Sequence, residues 1–256
     1  MREGMRLVAC TILLVLLISG CGGSQGTSES SNSRIINGAK LETPELTGVV
    51  SVQIASLTAP GQYCTASVIG TRHLLTAAHC VPQGEYLYGV VNLPDRNVPL
   101  AMIYKNNTFE TVQDLSLNDV AVLESSEDLG LPILPLFVSS SAILGEKVQL
   151  LGYGLDENEV YGELRSGSMV IRSLEYGRIL LAPDENDSRA CHGDSGGPAI
   201  QMHLNQDGSL QPAIIGVVSY GTDPECGPHS LIGLTNIQNT DVLDFILQVN
   251  PNVPTV

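Results

Sequence analysis

The run Cys191-His192-Gly193-Asp194-Ser195-Gly196-Gly197-Pro198 sets a serine among glycines. A serine hydroxyl is a weak nucleophile at neutral pH and needs a base within hydrogen-bond reach. It also needs backbone N–H groups aimed at the oxyanion that forms when a carbonyl is attacked, and glycines beside it let the backbone come that close. Leu75-Thr76-Ala77-Ala78-His79-Cys80 supplies an imidazole next to a cysteine. Asn118-Asp119-Val120-Ala121-Val122-Leu123 supplies a carboxylate at the mouth of an apolar strand, where it can hold the imidazole's other N–H. The implied chemistry is attack on a carbonyl, with Ser195 as nucleophile, His79 as base and Asp119 as orienter. A fourth run, Arg34-Ile35-Ile36-Asn37-Gly38, stands where a polar stretch meets the foldable sequence.

The elements that must position these residues read as short β-rich runs divided by turn residues. Val49–Leu57, Thr65–Ile69, Val120–Leu123, Lys147–Leu151, Met169–Leu174 and Ile214–Val218 are expected strands. Leu129–Ser141, with Pro132 and Pro135, reads as a connector between two halves. Thr240–Val249 is the one expected helix, capped by Asn239 or Thr240 and followed by Pro251. The class is all-β, built as two barrels.

Taken together, the four runs resemble the chymotrypsin/trypsin family of serine proteases, whose triad is a worked template for this chemistry. The resemblance covers residues 34–256 and rests on the order His79, Asp119, Ser195. Gly193-Asp194-Ser195-Gly196-Gly197 also fits the Gly-x-Ser-x-Gly elbow of α/β-hydrolases, which must run into a helix and be followed by its Asp and His. Here Gly-Gly-Pro follows the serine and no parallel βαβ pattern is present, so that reading fails.

The resemblance implies two packed antiparallel six-stranded β-barrels, about 35–133 and 134–256, with a C-terminal helix. It implies an oxyanion hole from the N–H groups of Gly193 and Ser195. Ser219-Tyr220-Gly221 would pair with the substrate backbone, and Gly152-Tyr153-Gly154 would form a structural turn. It implies activation by a cut after Arg34, freeing an Ile35 amine to pair with Asp194. Four cysteines of the folded part allow three connectivities, from which the family pattern selects Cys64–Cys80 and Cys191–Cys226.

One position departs from trypsin-like members, which carry an aspartate six residues before the nucleophile. Arg189 stands there, so cleavage after Lys or Arg would bury like charges together. Two readings stay open, with the balance slightly toward the first. Arg189 recognises an acidic side chain, helped by His192 at the rim, or Ile232 on the pocket wall leaves room for small apolar residues only.

Composition sets the surroundings. Among 256 residues, 27 acidic against 12 basic argue against phosphate neutralisation, so nucleic acid is not an expected partner. Arg2, Arg6 and the apolar Leu7–Ile18 read as an export signal over residues 1–20. Cys21 after Ser19-Gly20 resembles the acylated cysteine of a bacterial lipoprotein precursor, followed by a polar leash over 21–34. The expected setting is a bacterial periplasm or cell envelope, with membrane contact through the lipid on Cys21. The other expected partners are protein or peptide substrates and an activating trypsin-like protease. The protein is expected to act as a monomer without cofactor or metal, since His73, His203 and His229 lack ligand spacing. The Asn106-x-Thr108 sequon is read as idle.

Overall fold

The computed structural model of the chain describes residues 35–112, 115–155, 162–175, 177–184 and 188–256. The export signal, Cys21, the leash and Arg34 lie outside them. From the amino end come β1 (Ala39–Lys40), β2 (Val49–Ser56), β3 (Ala59–Val68), β4 (His73–Thr76), β5 (Tyr86–Asn92) and β6 (Asn97–Lys105). A short hairpin, β7 (Glu110–Val112) with β8 (Leu115–Leu117), leads to β9 (Ala121–Ser125). After the connector follow β10 (Lys147–Gly152), β11 (Arg165–Glu175), β12 (Arg178–Pro183), β13 (Pro198–Leu204), β14 (Leu210–Gly221) and β15 (Ile232–Asn236). Helix α1 (Thr240–Val249) comes last, and the Asn239 side chain caps it by accepting from the N–H of Asp241.

The strands close into two antiparallel six-stranded barrels. The first runs β2-β3-β4-β9-β6-β5 and returns to β2. The second runs β11-β10-β13-β14-β15-β12 and is closed by pairing of β11 with β12. Alternation explains the inward faces where it is clean: in β10, Val148 and Leu150 are buried while Lys147 and Gln149 face out. All six expected strands are present, most of them longer than the apolar pattern indicates. Strands such as β5, whose Tyr86, Leu87 and Tyr88 are all exposed, carry no alternation that a sequence reading could use.

At both ends the chain packs across the expected division, about 35–133 and 134–256. Ile35 is fully buried in the second barrel's core beside Met169, Leu181 and Leu234, and β1 pairs with β11 through Ala39↔Ser166 and Lys40↔Arg165. The reason is an edge: β12 covers β11 only from Met169 onward, which leaves the start of β11 open to β1. The carboxyl end crosses the other way. Val242 and Ile246 of α1 and Val253 pack into the core of the first barrel with Leu123 and Val68. Each barrel is therefore clasped by a terminal segment that chain order assigns to the other.

Candidate active site

Asp119 sits just before β9, behind Asn118, which adopts the left-handed backbone region at φ 52°. Asparagine tolerates that region better than most residues. The turn is braced by the sequon. Asn106 is buried, its side-chain oxygen accepts from the N–H and hydroxyl of Thr108, and its amide donates to the Asn118 carbonyl (3.3 Å). A motif read as idle thus has a positioning role.

The Asp119 carboxylate has no solvent exposure. Its Oδ1 accepts from the backbone N–H of His79 (2.9 Å), and its Oδ2 accepts from Nδ1 of the same ring (2.7 Å). The Ser219 hydroxyl also donates to Oδ2, and the Thr235 hydroxyl donates to the Asp119 carbonyl (3.2 Å). Burial by itself would raise the carboxyl pKa. The hydrogen bond and charge of His79, then the Ser219 hydroxyl and the His79 N–H, outweigh it and hold the group below 3.8. Because Nδ1 must donate to a carboxylate, a neutral His79 has its Nε2 lone pair free to take a proton. Ser219 was read as a substrate-pairing residue only; its bond to Asp119 is visible from no spacing in the sequence.

The Ser195 loop comes from the second barrel, just before β13. The disulfide Cys64–Cys80 lies between it and His79: Sγ of Cys80 is 3.9 Å from His79 Nε2 and 3.7 Å from the Ser195 carbonyl oxygen. The N–H of Thr65 donates to that same carbonyl (2.9 Å). Gly196, at φ 81°, lies so near Thr76 and the Thr65 carbonyl that any β-carbon would overlap them.

Asp194 is enclosed by the backbone of Gly152 and Gly154, where a side chain on either glycine would collide with the carboxylate. Its oxygens accept from the N–H groups of Gly154 (2.8 Å) and Cys191 (2.9 Å). Burial pushes its pKa up from 3.8 to about 7, against the pull of those two donors.

Two cavities flank the serine loop. One of about 90 Å³ is lined by Ala190, Ser195, Val218, Gly221, Cys226 and Ile232, among others. Gly221 and Ile232 face each other across paired β14 and β15, and the second disulfide, Cys191–Cys226, closes its rim. His192 is at the mouth, its Nε2 donating to the Pro224 carbonyl (2.8 Å). Arg189 is buried outside that lining, with Nε donating to the Cys226 carbonyl (3.2 Å) and its backbone bridged to Ile36. Tyr220 lines the pocket from above and accepts from Arg178 (3.3 Å). The other cavity, about 550 Å³, lies on the far flank of Gly193, against Tyr63, Cys64 and Tyr153. Two tight His/Cys groupings, around His79 and His192, contain only cysteines already bonded to each other, so neither offers a thiolate.

Comparison with known proteins points one way. Residues 35–246 match the family described as Trypsin. The chain is 25% identical to the venom serine protease of Polistes dominula, over 93% of this chain and 95% of that protein. It is 30% identical to a trypsin of Simulium vittatum, over 84% of this chain and 94% of that one. Among solved structures, HL collagenase superposes with a TM-score of 0.67 at 22% identity, covering 84% of this chain and 98% of the other, which bears on the fold.

Two predictions follow from the buried carboxylates. In the unfolded chain Asp194 ionises near 3.8, whereas the folded intact chain keeps that proton to about 7. Folding takes up a proton between those values, so stability falls as pH rises from about 4 to about 7. Asp194→Asn, on a Ser195→Ala background, should flatten that decline in a series of melting curves; an unchanged slope assigns the proton elsewhere. Asp119 acts in a separate window, its stabilisation complete above 3.8 and lost as pH falls toward its depressed pKa. Ser219→Ala removes one donor to this charge and should lower kcat/KM roughly tenfold, the value of one hydrogen bond to a charged group. Unaltered kinetics would show that His79 alone orients the pair.

Proposed function

The chain belongs to the trypsin family of serine proteases and is a serine endopeptidase, and on that premise we propose that Ser195, His79 and Asp119 carry an acyl-enzyme mechanism in an exported zymogen. The observation that carries this reading is the Asp119–His79 pair at 2.7 Å, with Nε2 and the Ser195 backbone meeting at one disulfide sulfur. Ser195 attacks the scissile carbonyl, His79 takes its proton and later delivers it to the leaving amine, and Asp119 stabilises the imidazolium between the two steps. The N–H groups of Gly193 and Ser195 receive the oxyanion. Two disulfides support export into an oxidising compartment.

Activation is read as a cut after Arg34. Two observations support it. Ile35 is fully buried with φ 42°, a region costly for a β-branched residue, and cleavage of the bond to Arg34 abolishes that torsion. Asp194 in the intact chain is buried beside backbone donors only, and a free α-ammonium on Ile35 supplies the missing cation. The pocket holding Ile232 and flanked by Arg189 would reject Arg34, so a trypsin-like activator does the cutting. With a lipid on Cys21, the same cut frees the domain from its membrane, and the extended leash of residues 21–34 reaches about 45 Å.

For specificity we favour small apolar residues before the scissile bond. A cavity of about 90 Å³ has the volume of about three waters. Ile232 forms its wall, while Arg189 is turned to the Cys226 carbonyl.

Membranes bearing the full chain, treated with trypsin, should release activity into the supernatant with Ile35 as the new amino terminus. The Ser195→Ala chain should be released equally and stay inactive, by a factor above about 10³. Active enzyme retained in the pellet would sink the coupling of release to activation. In a peptide-library profile, the activated enzyme should cut after Ala or Val, and Ile232→Ala should raise cleavage after larger residues about tenfold or more. Preferred cleavage after Glu or Asp, lost in Arg189→Ser, would instead restore the acidic reading.

A further inference from the structure

An oxyanion hole works only if its donors already point at the site where charge develops, because reorienting them during reaction uses up the stabilisation they give. Gly193 makes this difficult. It has φ 94° and, with no β-carbon, its two flanking peptide planes can turn at little steric cost. Something outside the residue must hold both planes.

The plane on its amino side is held by the N–H of Leu155, which donates to the His192 carbonyl (2.7 Å). Within that plane the Gly193 N–H points opposite the carbonyl, so fixing one fixes the other. The plane on the carboxyl side is held by Thr65. Its hydroxyl donates to the Gly193 carbonyl (2.8 Å). The same oxygen accepts from the N–H of Tyr153 (3.0 Å). The Thr65 backbone N–H meanwhile donates to the Ser195 carbonyl (2.9 Å), and its own carbonyl accepts from the Thr76 hydroxyl (2.8 Å). Thr65 has no solvent exposure, so no water competes for these bonds.

We infer that Thr65 is a positioning residue for catalysis: from the opposite barrel its side chain and backbone hold the peptide planes on the carboxyl side of Gly193 and of Ser195, and these adjoin the planes that carry the two oxyanion donors, Gly193 N–H and Ser195 N–H. This rests on the reading of Ser195 as nucleophile. Backbone geometry explains why a hydroxyl is required: one atom must donate to a carbonyl and accept from an N–H at once, which Ser and Thr can do and Val or Ala cannot. The γ-methyl, packed toward Gly197, restricts the rotamer so that the hydroxyl stays on Gly193.

The test uses the activated enzyme with Thr65→Val, Thr65→Ala and Thr65→Ser, each checked by its melting temperature. In whichever of the Val and Ala variants folds, kcat should fall 10- to 100-fold with KM within about threefold, since ground-state contacts are untouched. Affinity for a peptidyl boronate, whose tetrahedral adduct fills the oxyanion hole, should fall by a similar factor. Thr65→Ser should restore both to within about fivefold. A loss confined to KM, an undiminished kcat in a folded variant, or a failure of serine to rescue would overturn the proposal. If Ser195→Ala retained full activity, the parent reading would fall instead, and the two failures are told apart by that control.

Discussion

A fully buried carboxylate is the constraint on which this site depends. Taken out of water, Asp119 must be matched by donors, because an unmatched buried charge would cost several kcal/mol. Its donors come from both halves of the molecule. His79 gives a backbone N–H and a ring N–H from the first barrel, and Ser219 gives a hydroxyl from β14 of the second, while the Thr235 hydroxyl of β15 holds the Asp119 backbone carbonyl. Satisfying one charge therefore brings the two barrels into register at the place where His79 approaches the Ser195 loop. Orientation of the imidazole follows from electrostatics that the fold needs in any case.

Asp194 shows the opposite solution. It is buried nearly as completely, yet among the described residues its carboxylate has two donors, both backbone N–H groups, and its pKa climbs to about 7. A carboxyl in that state is poised: the fold tolerates it by protonation and would bind an added cation strongly. The difference between the two acids lies in their neighbours, which lower the pKa of one and leave burial to raise that of the other.

Non-covalent ties then reach across the same seam. The Cys64–Cys80 bridge and the Thr65 backbone both touch Ser195 from the first barrel. The crossing terminal segments, β1 on the second barrel and α1 on the first, clasp it from outside. A single barrel could not supply these contacts, since the Ser195 carbonyl is met by Thr65 and Cys80 of the first barrel while its own loop is held by Leu155 and Val218 of the second.

The residues around Ser195, His79 and Asp119 were legible in the sequence because attack on a carbonyl restricts chemistry to few residue types, and glycines and cysteines beside them mark unusual backbone. The all-β class and the helix at Thr240–Val249 were legible because alternation and 3.6-residue periodicity are local signals. Other features had no such signal. Nothing near Thr65 announces that its hydroxyl donates to the Gly193 carbonyl and accepts from the Tyr153 N–H, nothing near Asn106 marks it as a brace for the turn before Asp119, and nothing near Arg189 announces that its Nε donates to the Cys226 carbonyl. The exchange of terminal segments between barrels depends on which stretch of β11 its neighbour leaves uncovered. Residue identity and spacing determined which groups can react. Only the tertiary structure decided which groups hold them, because those partners lie up to 128 positions away along the chain and meet only when both barrels close.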